Sequence, residues 1–163
     1  MTPPTPRKAA LFVFAASAVL LGGALAFQYL GGYSPCVLCH WQRYAHAVAI
    51  LLTLAALALP RATPLLLGAA GLALLAGAGI AFFHVGVEQH WWQGTAECGS
   101  AVSGAASIEE LRARLLAQPV VRCDEVQWSL FGVSMAGYNF LASLALGLLA
   151  VASVVFSWRR AGS

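Results

Sequence analysis

The sequence predicts an all-α integral membrane protein, a four-helix transmembrane bundle with two outward cysteine-bearing loops. Composition is the first reason. Of 163 residues, 60% are hydrophobic and 9% charged, where soluble domains carry about a quarter charged residues. The second is the gathering of apolar residues into four runs, each close to the roughly 20 residues a helix needs to cross a hydrocarbon core. The third is the placement of Lys and Arg, which sorts the connections between those runs onto two sides. Residues 1–163 are accordingly expected to form one membrane domain.

The first run, approximately 9–30, carries no charge and follows Arg7 and Lys8. A secretory signal would share that basic start, and Ala24-Leu25-Ala26 resembles a cleavage site. The run is longer than a signal's apolar segment and continues past that site to Leu30, which favours a span. The second run, approximately 40–59, has Arg43 and His46 in its opening turns. Pro60, Arg61 and Pro64 make a tight connection to the third run, approximately 64–87. The fourth, approximately 135–158, is closed by Arg159 and Arg160.

With four crossings, Arg7, Lys8, Arg61, Arg159 and Arg160 share one side, which the positive-inside bias makes cytoplasmic together with both termini. The opposite side comprises loops of approximately 31–39 and 88–134. It holds Arg43, Arg112, Arg114 and Arg122 against Glu88, Glu97, Glu109, Glu110, Asp124 and Glu125, a net −2 beside the +5 of the other face and the chain's total of +3. Membrane orientation accounts for the basic excess. Nothing resembles a phosphate-binding loop, and no nucleic-acid partner is expected; the bilayer itself is the surrounding medium.

All four cysteines fall on the outward side, two in each loop. Cys36-Val37-Leu38-Cys39-His40 fits two chemistries, a redox dithiol and the attachment site of a c-type haem. Haem needs an enclosing pocket, and a motif leading straight into a span offers little polypeptide to build one; it would also leave Cys98 and Cys123 unexplained. Two structural bridges, or a zinc site of Cys and His in a disulfide-tied tetraspan scaffold, are further readings. A bridge suits Cys98 with Cys123. It suits Cys36 with Cys39 poorly, because so short a loop removes little entropy from the unfolded chain.

Local chemistry points to reactivity. Ser34 as a cap and Pro35 in the first helical position would put Cys36 in the first turn, where the positive end of the helix favours a thiolate. Arg43 follows Cys39 by four residues and shares its helical face. An arginine there either reaches out to lipid headgroups or lowers a thiol pKa and binds a ligand oxygen; the neighbouring cysteines favour the second.

The run Pro35-Cys36-Val37-Leu38-Cys39 with Arg43, the four spans, and a second outward pair ending in Cys123-Asp124-Glu125-Val126-Gln127-Trp128 together resemble the disulfide bond formation protein B (DsbB) family. The resemblance implies a thiol:quinone oxidoreductase of the bacterial inner membrane. Such an enzyme reoxidises a periplasmic DsbA-like thioredoxin-fold dithiol oxidase and passes the electrons to a membrane quinone, ubiquinone or menaquinone. It implies a disulfide between Cys98 and Cys123, with Cys98 the point of attack, and onward exchange with Cys36 and Cys39. Cys39 would then meet the quinone and Arg43 would polarise a quinone oxygen. Vitamin K epoxide reductase-like proteins place their C-x-x-C after the loop pair, the reverse of the order here. His40, Trp41, Gln42 and Ala136 depart from the residues common in the family at those places.

Other residues carry weaker signals. His90 and Glu88, near the end of the third span, could deliver protons to a quinone, or simply sit at the interface with Trp91 and Trp92. Ser107-Ile108-Glu109-Glu110 fits a capping box, and Ile108, Leu111 and Leu115 follow at helical spacing. The result is a short helix lying on the outer leaflet or packed on the bundle. Gly94, Gly99 and Gly104 leave the chain beside it free to bend. His46 and His84 read as bundle or interface residues, and Gly22, Ala26, Ala73 and Gly77 as sites of close helix packing.

Overall fold

Proline marks where the helices begin. In the computed structural model, which describes residues 4–98, 107–109, 112 and 121–161, helix α1 spans Pro6–Tyr29 with proline in its first turn. Helix α2 spans Val37–Ala58. A 3₁₀ turn, Pro60–Ala62, leads into α3, Thr63–Glu88, which again has proline in its first turn. Helix α4 spans Met135–Ala161. Proline lacks an N–H and has φ preset, so it suits the first turn, where the N–H groups have no partner within the helix. Thr63 Oγ1 donates to the Ala56 carbonyl at 2.7 Å, fastening the end of α2 to the start of α3.

Helix α1, the segment Pro60–Glu88 and the segment Met135–Arg160 are each long and apolar enough to cross a membrane. Helix α2 is of similar length but is not among them, and Gln42, Arg43 and His46 crowd its first turns. It lies against α1 and α3, and α3 also packs along α4, so the four form one bundle. Its lower core is built from small and aliphatic residues: Ala9 and Val13 of α1, Ala49 and Ala56 of α2, Leu67 and Leu74 of α3, Ala150 and Val154 of α4. Glycine permits the closest crossings. A Cβ on Gly77 would sit 2.6 Å from that of Ala45, and one on Gly147 would meet the Gly71 carbonyl at 3.0 Å. Gly22 and Ala26 do not share this role, because Gly22 opens on empty space and Ala26 is exposed; α1 turns that face outward.

At the end of the bundle that carries the cysteines, α3 closes in a Schellman turn. His90 N–H donates to the Val87 carbonyl at 3.1 Å and Trp91 N–H to that of Gly86 at 2.8 Å, with His90 in the left-handed conformation at φ 57. The chain then folds back on the helix. The Trp92 ring lies over Gly86 and stacks on Phe83, whose carbonyl accepts its Nε1–H at 2.9 Å.

A Cβ at position 86 would fall inside the Trp92 ring. Elsewhere in a helix Gly→Ala gains about 1 kcal/mol. Here Gly86→Ala is expected to destabilise the fold by about 1–3 kcal/mol through overpacking. The checks are a lower thermal midpoint in detergent and a red-shifted tryptophan emission; a raised midpoint with unchanged emission would remove Trp92 from this role.

Before α4 the chain makes a small antiparallel hairpin, Ser129–Leu130 paired with Val133–Ser134. Its two turn residues, Phe131 and Gly132, have φ 50 and 78, the signature of a primed two-residue turn. The sequence reading held no strand here. Most of the expected helix over 107–115 lies outside the described residues, as do Gly99 and Gly104.

Candidate redox centre

Helix α2 starts two residues later than the sequence suggests. Cys36 itself, and not Ser34, is the N-cap, and its sulfur accepts the Cys39 N–H at 3.4 Å. That geometry brings the two side chains together: Cys36 and Cys39 are free thiols with sulfurs 3.1 Å apart. The hydrogen bond with Cys39, and after it that with His84, holds the Cys36 thiol far below its ordinary range, to about 4, against the opposing effect of burial. His40 is exposed while Cys36 is buried, so the C-x-x-C-H string does not gather its three side chains at one place.

Cys98 and Cys123 form a disulfide with a Cα–Cα distance of 5.2 Å. Closing a loop of 25 residues stabilises a fold by about 3.5 kcal/mol in the chain-entropy description, against about 1.6 for a C-x-x-C loop. Gly94 makes room for Cys98, since a Cβ there would meet Cys98 Cβ at 2.8 Å. All four cysteines share one apolar cluster with Leu38 and Val87. The disulfide is asymmetric in access: Cys123 is fully buried, whereas Cys98 is half-buried and lines an outer cleft with Trp91, Trp92 and Asp124. The Arg122 guanidinium, bonded to Asp124 at 2.5 and 2.9 Å, holds that carboxyl down at about 2.

His84 of α3 joins the two pairs. Its Nε2 lies 3.6 Å from Cys36 Sγ, and its ring is within hydrogen-bonding reach of the Cys123 backbone. A polar chain continues from it through the bundle. His84 Nδ1 meets Gln42 Nε2 at 3.0 Å, Gln42 Oε1 accepts from Asn139 Nδ2 at 2.7 Å, and Asn139 Oδ1 meets His46 Nε2 at 2.9 Å. Ser143 Oγ completes it, 3.2 Å from His46 Nε2. Glu88 Oε1 stands 3.9 Å from His84 Nε2, and Ser134 Oγ donates to Glu88 Oε2. Sequence reasoning put His46 and His84 among packing residues and missed this chain. The signal was present as three polar pairs spaced by four residues in apolar helices: Gln42 with His46, His84 with Glu88, and Asn139 with Ser143. Buried polar side chains in a membrane span are retained where they find partners or do chemistry.

Arg43 lies one turn beyond Cys39. Its guanidinium donates to Gln28 Oε1 at 2.5 Å and to the Ala24 carbonyl at 3.0 Å, both on α1. Cys36, Cys39, Arg43 and His84 open together onto a cavity of about 400 Å³, walled by Val19, Leu20 and Phe27 of α1 and by Trp128 and Ala136 near α4. His90 lies elsewhere, in the cleft beside Cys98.

A membrane bundle that seats a free dithiol and a disulfide in one buried cluster is a transmembrane thiol–disulfide oxidoreductase. The chain belongs to the disulfide bond formation protein B family, whose model, Disulfide bond formation protein DsbB, matches residues 6–153. Among its relatives, disulfide bond formation protein B of Methylococcus capsulatus is 34% identical over 90% of this chain and 93% of its own length. That of Verminephrobacter eiseniae is 34% identical over 91% and 85%. An uncharacterised protein of Rickettsia prowazekii is 26% identical over 83% and 80%. No solved structure matches the chain. The protein is thus a disulfide-forming membrane oxidoreductase.

Proposed function

We propose that this chain is a thiol:quinone oxidoreductase of the bacterial inner membrane, with both termini cytoplasmic, that reoxidises a periplasmic DsbA-like dithiol oxidase. One observation carries the reading: a disulfide and a dithiol share a buried cluster, and the dithiol opens, with Arg43, onto an amphiphilic cavity. The residues fit a quinone, since an apolar wall faces a cationic donor and two thiols across a cavity of about 400 Å³, within the ordinary range of small-molecule sites.

A thiolate of the partner attacks Cys98 Sγ, the accessible sulfur, and Cys123 leaves as thiolate. The partner's second thiol resolves the mixed disulfide, so the partner leaves oxidised and Cys98 and Cys123 hold two electrons. Exchange with a Cys36–Cys39 disulfide restores Cys98–Cys123 and leaves Cys36 and Cys39 reduced. A bound quinone supplies the two-electron, two-proton acceptor. Cys39, beside the cavity, is the donor thiol, and Arg43 offers charged N–H groups to an acceptor oxygen. His84, whose Nδ1 accepts from Gln42 Nε2, presents its Nε2–H to the Cys36 thiolate at 3.6 Å, and Glu88 stands 3.9 Å beyond it as the next group on a proton path.

The test is quinone absorbance, followed with purified protein in detergent and a reduced thioredoxin-fold partner. Quinone is expected to disappear in proportion to the partner oxidised, and to remain when the partner is omitted. Persistence of quinone in both mixtures, or a Soret band that survives denaturation and extraction, would overturn the reading.

A further inference from the structure

We propose that the reduced centre is also a binding site for a thiophilic divalent cation of the zinc type, held by Cys36 Sγ, Cys39 Sγ and His84 Nε2, and that its occupancy blocks reoxidation. These three atoms lie within 4.8 Å of one another. Tetrahedral zinc, with bonds of about 2.3 Å to sulfur and about 2.0 Å to nitrogen, requires edges of roughly 3.5 Å between sulfur and nitrogen and roughly 3.8 Å between sulfurs. The Cys36–His84 edge is already 3.6 Å. The sulfurs, now 3.1 Å apart, need to separate by about 0.7 Å to reach the tetrahedral edge. Cys36 has extended backbone just before α2, so its side chain can make that adjustment without disturbing a helical turn.

Charge favours the same ligand. Cys36 and His84 are each 4% exposed, where an uncompensated charge is costly. Two thiolates and a neutral imidazole balance one dication, and the proton still shared between the two sulfurs departs as it binds. Presenting Nε2 to a metal puts the ring proton on Nδ1, so the Gln42 amide, which faces Nδ1 at 3.0 Å, has to turn over together with the Asn139 amide it is bonded to; Gln42 Oε1 then accepts the Nδ1–H and fixes the tautomer. The fourth position falls to water. Oxidation to a Cys36–Cys39 disulfide removes both thiolates, so binding belongs to the reduced state alone. The blocking half of the proposal rests on the reading of Cys36 and Cys39 as the pair that empties to quinone; the binding half does not.

Cobalt(II) reports such a site through tetrahedral d–d and thiolate charge-transfer absorption. Full-length Cys98→Ser/Cys123→Ser protein, reduced with a phosphine, is expected to take up one cobalt with that spectrum, to yield it to zinc, and to lose it when Cys36 and Cys39 are oxidised. His84→Ala should weaken binding by about tenfold or more, His84→Cys should restore a tetrahedral spectrum, and His40→Ala should change nothing. No such spectrum, or one that survives dithiol oxidation, overturns the site. If His84→Ala does not fold, an octahedral spectrum in His84→Cys overturns it instead. In the wild type, zinc should slow quinone reduction and a chelator should reverse it. A zinc-insensitive rate overturns the blocking half, whereas a chain that reduces no quinone even without metal refutes the proposed function and leaves the cobalt result standing.

Discussion

Cys98→Ser is expected to reduce oxidation of the partner to the uncatalysed rate while leaving Cys36 and Cys39 able to reduce quinone once they are chemically reduced. Exchange requires a thiolate to approach a disulfide sulfur, and only one sulfur of this pair can be approached. Cys123 is fully buried, whereas Cys98 lines the cleft beneath Trp91 and Trp92. Loss of the cross-link also removes up to about 3.5 kcal/mol of stability in the chain-entropy description, so a folding defect has to be separated from a chemical one. Cys123→Ser provides the control. It forfeits the same bond but keeps a thiol at position 98, whose attack on the disulfide of oxidised partner is expected to give a mixed disulfide, with release of one partner thiolate, that can be isolated on a non-reducing gel after acid quenching. Oxidation at the full rate in Cys98→Ser would refute the proposed electron path.

Arg43→Ala is expected to raise the KM for quinone by about 10- to 150-fold, the equivalent of a charged hydrogen bond of roughly 1.5–3 kcal/mol. The guanidinium reaches Gln28 and Ala24 on α1 while lining the cavity beside Cys39. It can therefore hold α1 against α2, bind a ligand oxygen, or do both. Arg43→Lys separates these roles, since an ammonium keeps the charge but cannot span two acceptors in the planar fork of a guanidinium. If ligand binding dominates, lysine recovers much of the KM; if clamping dominates, both variants lower the thermal midpoint alike and KM follows stability. An unchanged KM in Arg43→Ala would remove this residue from the quinone site.

The bundle was legible because its determinants are local. Apolar run length, proline at Pro60 and Pro64, and the charges at Arg7, Lys8, Arg61, Arg159 and Arg160 act within a few residues of the helix ends they define. The cysteines were legible for a similar reason, since C-x-x-C is a spacing within one helical turn. The start of α2 was less so: Cys36, Ser34 and Pro35 compete for the cap, and only packing of the cysteine against Leu38 and Val87 decides it. The link from His84 through Gln42 and Asn139 to His46 depends on three helices rotating their polar pairs toward one axis. No single helix carries that information. Each polar residue read alone is an ordinary packing or interface residue. The hairpin turn at Phe131-Gly132 was hidden by its brevity and by the absence of the asparagine or aspartate that commonly announces a primed turn.

The seat of Trp92 on Gly86 fixes the chain six residues short of Cys98, while Cys123 is held from the other side by burial against Val87. The reactive sulfurs are thereby anchored at their own ends and do not depend on the intervening segment for position. For a loop closed between two anchored cysteines, doubling the length would cost only about 0.6 kcal/mol of additional closure entropy. Changes in the length of that loop are consequently expected to leave the redox chemistry where it is.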